Sequence, residues 1–487
     1  MDADVVVVGA GPTGLLLAGD LAEAGVAVTV LERRAEESNL TRALGVNART
    51  MEQLEMRGLA DELAATGPVI QALRLLEDRV QIDMRALPSR FASVLVTPQY
   101  EVERVLQRRA TALGVRLVRG AEVTGVAQDG HGVEVVVRAV EGAAASYRAS
   151  YVVGADGVHS AVRRALGLPF PGRSVIKSVM LADVRLSSPP SEVLSLNAYD
   201  DGFALIVPFG DGWYRVMAWN RLHQVGDTAP VELAEIGEVT RRALGTDPGM
   251  HDSRWLSRFR CDERQVPRYR VGRVFLAGDA AHCHSPAGGQ GMNTGMQDAA
   301  NLSWKLAAAV RGWGDERLLD SYHAERHPIG RQVLRSSGAT VRLAMVRPWW
   351  GKAACNVIGQ LLRSIPPVAA RVAIIFSGLS VRYPAPRGVD PRVGTRVPDI
   401  PLIDGRLYEA LRGGRFVLIG AEAAGIDLLP QVDAAVPARP TGELLLVRPD
   451  GYLAWIGTAA GFPAWAGEYF RWRGGTMKDS VSSRGKR

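Results

Sequence analysis

Asp279 closes the apolar run Phe275-Leu276-Ala277-Gly278 and is soon followed by Gly288, Gly289 and Gly291, which open a helical stretch from about Met292 to Val310. A carboxylate at a strand end accepts hydrogen bonds from hydroxyl groups. Glycines let backbone N–H groups approach an anionic or carbonyl-rich ligand, and the helix start aims its positive end at the same place. The N-terminus supplies a second anchor. Val5–Val8 reads as a buried strand that runs into Gly9-Ala-Gly11-Pro12-Thr13-Gly14, then a helical run Leu15–Ala24 and a strand Val26–Leu31 ending in Glu32. In this β-α-β setting Gly9 makes the tight turn, Gly11 lets the backbone meet a pyrophosphate, Gly14 permits close helix packing and Glu32 suits a ribose. The residues therefore predict a dinucleotide site.

Two further clusters have residue types capable of chemistry. Val152-Val-Gly-Ala-Asp156-Gly157 reads as a strand ending in Asp-Gly with a helix behind it, on which Arg163 is either a phosphate partner or a helix-face charge. His282-Cys283-His284 are all metal-ligand types. Adjacent ligands do not converge well in one tetrahedral site, and no second Cys/His cluster completes it, so no metal is expected.

The elements that must hold these residues predict an α/β chain. Residues 1–75, 99–172 and 264–335 contain fragments of one nucleotide-binding architecture, hence a discontinuous domain. Residues 76–98 and 173–263 form a second domain; alternation in Val179–Leu186 and Gly212–Trp219 predicts an antiparallel sheet with one wet face, able to floor a pocket. Residues 336–383 read as a helical connection, and prolines at 384, 386 and 391 mark a linker. Residues 386–474 make a further domain, with a strand Arg415–Ile419 and a hairpin Glu443–Trp455 turning at Asp450-Gly451; 475–487 read as a disordered basic tail.

Composition excludes several function classes. The net charge is +7, but the arginines are dispersed among acidic neighbours with no basic stripe interleaved with aromatics, so no nucleic-acid partner is expected. Cys261, Cys283 and Cys355 are too few for a disulfide framework, which fits the cytoplasm. No apolar run reaches 18 residues and the first residues lack a basic region, so neither a membrane span nor a signal peptide is expected.

In this order, the three glycine-bearing motifs resemble the class A flavoprotein monooxygenases typified by para-hydroxybenzoate hydroxylase. The resemblance extends to the aromatic polyketide hydroxylases through Thr41–Glu52, Gln99 and Leu319–Arg326. The module containing Arg448-Pro-Asp-Gly-Tyr452 looks like the thioredoxin-like domain of that group, here with no cysteine beyond Cys355 to form a redox pair. The fold so implied is a discontinuous Rossmann-like FAD domain, an antiparallel-sheet substrate domain and a C-terminal thioredoxin-like domain.

The resemblance also implies the chemistry. FAD is the cofactor, NADPH or NADH is a transient co-substrate, and O2 is activated as a C4a-hydroperoxyflavin to hydroxylate a polycyclic aromatic polyketide-type substrate. Gly9, Gly11, Pro12, Thr13, Gly14, Glu32 and Arg33 would hold the ADP half, while Arg42 and Gln99 would reach the pyrophosphate and ribityl region. Asp156 would lie near the pyrophosphate and influence the nicotinamide. Asp279 would bond the ribityl hydroxyls, and Pro286, Gly289, Gly291, Met292 and Asn293 would face the flavin. Phe203, Pro208, Trp219 and Pro286 are candidate pocket walls. Tyr214 or His223 could deprotonate a phenol and Arg382 could pair with a phenolate, but none stands out as a catalytic residue. Baeyer–Villiger oxidation, epoxidation and a non-catalytic protein that binds flavin or an aromatic ligand remain open, as does a monomeric or homodimeric state.

Overall fold

The computed structural model describes residues 1–37, 43–75, 80–139, 144–191, 193–285, 289–344, 357, 359–360 and 364–470. Arg42, Pro286, Gly288, Cys355 and the 475–487 tail lie outside these residues.

Val5–Val8 is buried throughout, as suits a parallel strand covered on both faces. The strand Ala3–Val8 runs parallel to Val28–Glu32 on one side and to Ala144–Gly154 on the other; the latter runs parallel to Val274–Leu276. The sheet order is 270–271, 274–276, 144–154, 3–8, 28–32 and 116–119. Because the strands ending at Gly9, Glu32, Gly154 and Leu276 are parallel, their carboxyl ends share one sheet edge, which is where such sheets bind ligands. Helices Pro12–Glu23 and Gln290–Val310 pack against each other over the sheet core.

The second sheet is antiparallel, in the order 195–199, 202–208, 214–220, 172–186, 250–265 and 282–283. One face, with Met180, Ala182, Val184, Ile206, Val216 and Ala218, packs against Ile236 and Val239 of the helix Leu233–Leu244. That face is therefore covered by the helix. The helix has a readable signature: apolar residues at 233, 236, 239 and 244, then Gly245 at φ +75° as its left-handed cap.

The expected second-domain segment 76–98 does not extend this sheet. Val94–Val96 pairs instead with Gly45–Val46 and Val69–Ile70, and Val80–Asp83 pairs with Ala72–Leu75.

In the C-terminal domain, Phe416–Ile419 pairs in parallel with Val432–Ala435 and antiparallel with Leu444–Val447, which pairs with Leu453–Gly457. Its aromatic core reaches across the domain boundary. Phe416 meets Trp304 edge-on at 5.3 Å, and Trp313 lies 5.8 Å from Phe470. Among the described residues, no helix is long and apolar enough to cross a membrane.

Candidate active site

The glycine turn divides its three glycines between two jobs. A Cβ on Gly9 (φ +105°) would lie 2.5 Å from the Ala155 carbonyl oxygen, and one on Gly14 would lie 2.0 Å from the Gly9 carbonyl oxygen. A Cβ on Gly11 would meet nothing within 4 Å. Gly9 and Gly14 thus serve packing, whereas Gly11 borders the open space a pyrophosphate needs at the helix N-terminus. Pro12 stands in the first turn of that helix. The Thr13 hydroxyl fits where Gly278 and Gly295 carry no side chain: a Cβ there would approach it to 2.8 and 2.4 Å.

Glu32 is 5 % exposed and accepts from the Ala10 N–H at 2.8 Å, and from the Arg34 N–H and Nε, both at 3.0 Å. Burial pushes its carboxyl up, but these donors outweigh burial and hold it below the usual range. Arg33 is exposed, so the arginine at Glu32 is its neighbour Arg34, which the sequence did not single out. Gln99 donates to Glu103 at 2.8 Å and accepts from the Ala43 N–H at 3.3 Å, anchoring the residue that follows Arg42.

Asp156 lies against the glycine turn, its Cα 3.0 Å from where a Gly9 Cβ would stand. Its carboxylate accepts from the Ala161 and Val162 N–H groups at 2.6 and 3.2 Å, capping the helix Ala161–Ala165, and burial pushes its pKa up. Arg163 resolves as a tether: it donates to the carbonyls of Ala280 (3.0 Å) and Val158 (2.7 Å) and stacks on Phe170.

Asp279 is exposed although Ala277, Gly278, Ala280 and Ala281 are all buried. The segment presents this one acid outward because Gly278 turns at φ +60° and its N–H donates to buried Asp298 at 3.1 Å. Gly289, at φ +62°, caps the helix Gln290–Val310. In the next turn Asn293 is a clasp: its Oδ1 accepts from the Asn47 N–H (3.0 Å), and its Nδ2 donates to the carbonyls of Gly45 (2.9 Å) and Gly289 (2.7 Å). Met292 packs against the sheet core, and Gly291 lies in ordinary contact with His284.

His282 and Cys283 form the last strand of the second sheet, pairing with Gln265 and Arg264, so the segment just after Asp279 belongs to that sheet. His282 Nε2 lies 2.6 Å from Asp298, which also pairs with Arg326 at 2.7 Å; His282 Nδ1 lies 3.2 Å from His284 Nε2. Burial raises the Asp298 carboxyl, but His282 and Arg326 prevail and hold it at about 2; burial brings His284 down to about 3. The ionised Asp298 accepts a hydrogen bond from His282 Nε2–H, and His282 Nδ1 shares a hydrogen bond with His284 Nε2. Among the described residues no cluster of three or more His, Cys, Asp or Glu could hold a metal ion.

The opposite face of the second sheet bears Leu181, Met217, Phe203 and Trp219, the last two 5.7 Å apart. Cys261 on this face hydrogen-bonds Ser285, the residue before Pro286. Tyr100, next to Gln99, stacks on Phe209 at the other end. Between them, buried Asp183 and Arg215 form a two-pronged pair at 2.8 and 2.9 Å, with Arg215 between the Phe209 and Trp255 rings. Neither residue was anticipated from sequence. This face thus meets the dinucleotide domain at both ends.

Four candidate residues do not join it. Tyr214 pairs in register with Val184 and Pro208, so both Tyr214 and Pro208 share the face covered by the Leu233–Leu244 helix. His223 bonds Glu235 of that helix at 2.8 Å, with its side chain 54 % exposed. Arg382 is exposed and donates to the Pro391 carbonyl at 3.3 Å.

The FAD-binding domain family model matches residues 2–337, and the C-terminal domain model of aromatic-ring hydroxylases matches residues 390–472. The chain belongs to the FAD-dependent aromatic-ring hydroxylases. This hydroxylase is 38 % identical over 479 residues to the rifampicin monooxygenase of Streptomyces venezuelae, covering 95 % of this chain and 98 % of that one. It superposes on the OxyS anhydrotetracycline hydroxylase from Streptomyces rimosus with a TM-score of 0.84 at 37 % identity, covering 96 % and 99 % of the two chains. It is also 34 % identical over 487 residues to the dialkyldecalin synthase of Streptomyces rugosporus, covering 95 % and 98 %. The hydroxylase accordingly has a Rossmann-like FAD domain, an antiparallel second sheet and a C-terminal thioredoxin-like domain. The open cradle at Gly11, buried Glu32 and outward-facing Asp279 suit a ligand with a pyrophosphate flanked by hydroxylated chains, which FAD is.

Proposed function

We propose that this flavoenzyme hydroxylates a polycyclic aromatic polyketide-type phenol, consuming NAD(P)H and O2 and releasing water. The observation that carries the reading is the flat apolar wall of Phe203 and Trp219, joined to the flavin loop through Cys261–Ser285 and the His282–Cys283 strand. Held in this site, FAD would supply hydride acceptance from the nicotinamide and activation of O2, one oxygen atom going to a ring carbon and the other to water.

The chain's own residues do the rest. Glu32 and Asp279 would accept from the ribose and ribityl hydroxyls, and the Gly11 turn and Gln99 would hold the diphosphate end. The positive end of the Gln290–Val310 helix steadies negative charge on the reduced ring. The Phe203–Trp219 wall orients the flat substrate and excludes water, which limits futile peroxide release. Among the described residues buried Trp219 Nε1 has no hydrogen-bond partner, so it would be available to a substrate oxygen.

The relative named as a dialkyldecalin synthase favours a second reading, in which the flavin fold binds a polycyclic ligand without oxygenating it. Incubating the holoenzyme with NADPH, 18O2 and a panel of tetracyclic and angular phenols separates the two. A product with one labelled oxygen, located on a ring carbon by NMR, supports hydroxylation; label within a lactone or epoxide assigns those reactions instead. Conversion or tight binding without label throughout the panel would sink the proposal.

A further inference from the structure

The turn 448–451 joins two strands of the C-terminal domain, and turns of this kind are ordinarily solvated. Here Arg448 is 5 % exposed, Asp450 1 % and Tyr452 1 %. The turn is buried in the FAD domain, with two chains of hydrogen bonds leading away from it.

The first chain passes through the helix Ala48–Glu55, whose eight residues are all buried even though four of them are Arg49, Glu52, Gln53 and Glu55. A buried polar side chain is tolerated only when partnered, and besides neighbours such as Arg57, Ser89 and Arg90 each of the four has a partner in the C-terminal part of the chain. The Asp450 carbonyl accepts from Arg49 at 2.7 Å and from Gln53 at 2.8 Å. Glu52 pairs with Arg396 and Glu55 with Arg406. At the other end of this helix its cap residue, Asn47, donates its N–H to Asn293 at the flavin loop. The second chain starts at Arg448, which holds Glu325 at 2.9 and 3.0 Å. The adjacent Arg326 holds Asp298, which accepts from the Gly278 N–H just before Asp279. Lys305 and Asn301 close the network on Glu325, at 2.8 and 2.6 Å.

We propose that the C-terminal domain positions the flavin seat: its Arg448–Gly451 turn sets the Gly45–Asn47 and Asn293 clasp on one side and the Asp279 segment on the other. The domain's contribution to the reaction is thus geometric. The proposal rests on the assignment of Asp279 and Asn293 to the flavin site. Arg448, Asp450, Arg49 and Gln53 are positioning residues, none of which touches the cofactor.

The test uses the full-length protein stripped of FAD and titrated with it, following flavin fluorescence quenching and the visible circular dichroism of the bound flavin, with thermal melting of the apoprotein in parallel. Gln53→Met removes one bond to the turn while keeping side-chain bulk. Arg448→Met cuts the second chain, and Arg448→Lys keeps the charge but loses the fork geometry. Gln53→Met is expected to raise the FAD Kd about tenfold and Arg448→Met by more, both with an altered visible dichroism, and Arg448→Lys to restore most of the loss. Should Arg448→Met not fold, Gln53→Met and Arg448→Lys decide the matter by the same readouts. Asp279→Ala is the control for the seat itself. Weakened binding in Asp279→Ala, with wild-type Kd and dichroism in the turn variants, overturns the positioning role alone. Wild-type binding in every variant overturns the seat assignment and the positioning role together.

Discussion

Gly11→Ala should separate binding from folding within a single turn. The backbone at Gly11, φ −80° and ψ 178°, is open to any residue, and an added Cβ meets nothing within 4 Å. The apoprotein should therefore melt no lower than wild type, and slightly higher if removing a glycine from the unfolded chain contributes its usual stabilisation of about 0.4–1 kcal/mol. The methyl group stands in the space assigned to the pyrophosphate, whose oxygens must come within about 3 Å of backbone N–H groups. Displacing them by a methyl radius costs one or two charge-assisted hydrogen bonds of about 1.5–3 kcal/mol each. At about 1.4 kcal/mol per decade, the FAD Kd should rise by about one to four orders of magnitude. Gly14→Ala is the counter-case, since its Cβ would lie 2.0 Å from the Gly9 carbonyl oxygen, a backbone atom with no rotamer to escape to. It should destabilise the apoprotein by about 1–3 kcal/mol or more. Circular dichroism melts with and without FAD, together with fluorescence titration, measure both quantities. A Gly11→Ala protein that binds FAD normally, or an apoprotein of it that melts well below wild type, would refute the division of labour among these glycines.

Three further outcomes are expected. Buried His284, held at about 3, stays neutral in the native state while the unfolded chain takes up a proton below about 6.5. Its contribution is complete above that pH and is lost as pH falls toward 3, about 2 kcal/mol by pH 5. Asp298, depressed to about 2, adds a further loss below its unfolded value of 3.8. Urea midpoints at pH 7 and pH 5 should show this slope, and His284→Asn should reduce it; an unchanged slope would rule His284 out as its source. Asp183→Ala leaves Arg215 buried without its carboxylate and should cost about 3–5 kcal/mol, whereas the apolar pair Asp183→Leu with Arg215→Met should recover most of that in chemical denaturation; a double variant as weak as the single one would contradict this account. Trp219→Phe keeps the ring against Phe203 but removes an indole N–H that has no partner, so substrate KM should rise while the FAD Kd stays put; movement of the Kd would place Trp219 at the cofactor instead.

Legibility from sequence followed sequence distance. The glycine turn and Glu32 could be placed because one β-α-β unit spells them out, and Asp279 because it follows closely on the buried strand Val274–Leu276. Partners far apart in the chain leave no such trace. Asn47 and Asn293 meet across 246 positions, and Arg49 meets Asp450 across 401. Small offsets misled in other places. Arg33 and Arg34 are indistinguishable by type, yet only Arg34 turns back onto Glu32. Tyr214 and Arg215 differ by one position, which in a strand means opposite faces, and only the register with Val184 and Asp183 decides which side each takes. The His-Cys-His run drew notice for its ligand chemistry; its role as a sheet strand followed from Arg264 and Gln265, which nothing in the local pattern links to it.

The strand order of the FAD domain bears on how the chain must be made. Ala3–Val8 needs Ala144–Gly154 as a neighbour, which in turn needs Val274–Leu276, and the clasp on Gly45 is closed only by Asn293. About a third of the polypeptide, through Gly154, must leave the ribosome before the first strand to emerge is flanked on both sides, and more than half before Asn293 can close the clasp; long-range parallel pairing is intrinsically slow. A nascent chain of this protein therefore spends the first third of its synthesis with one edge of the valine-rich first strand unpaired, and longer with the flavin clasp open. Flavin capture becomes a late, post-translational event, so the supply of FAD at the end of synthesis, and chaperone cover before it, should limit the yield of active enzyme more than the rate of translation does.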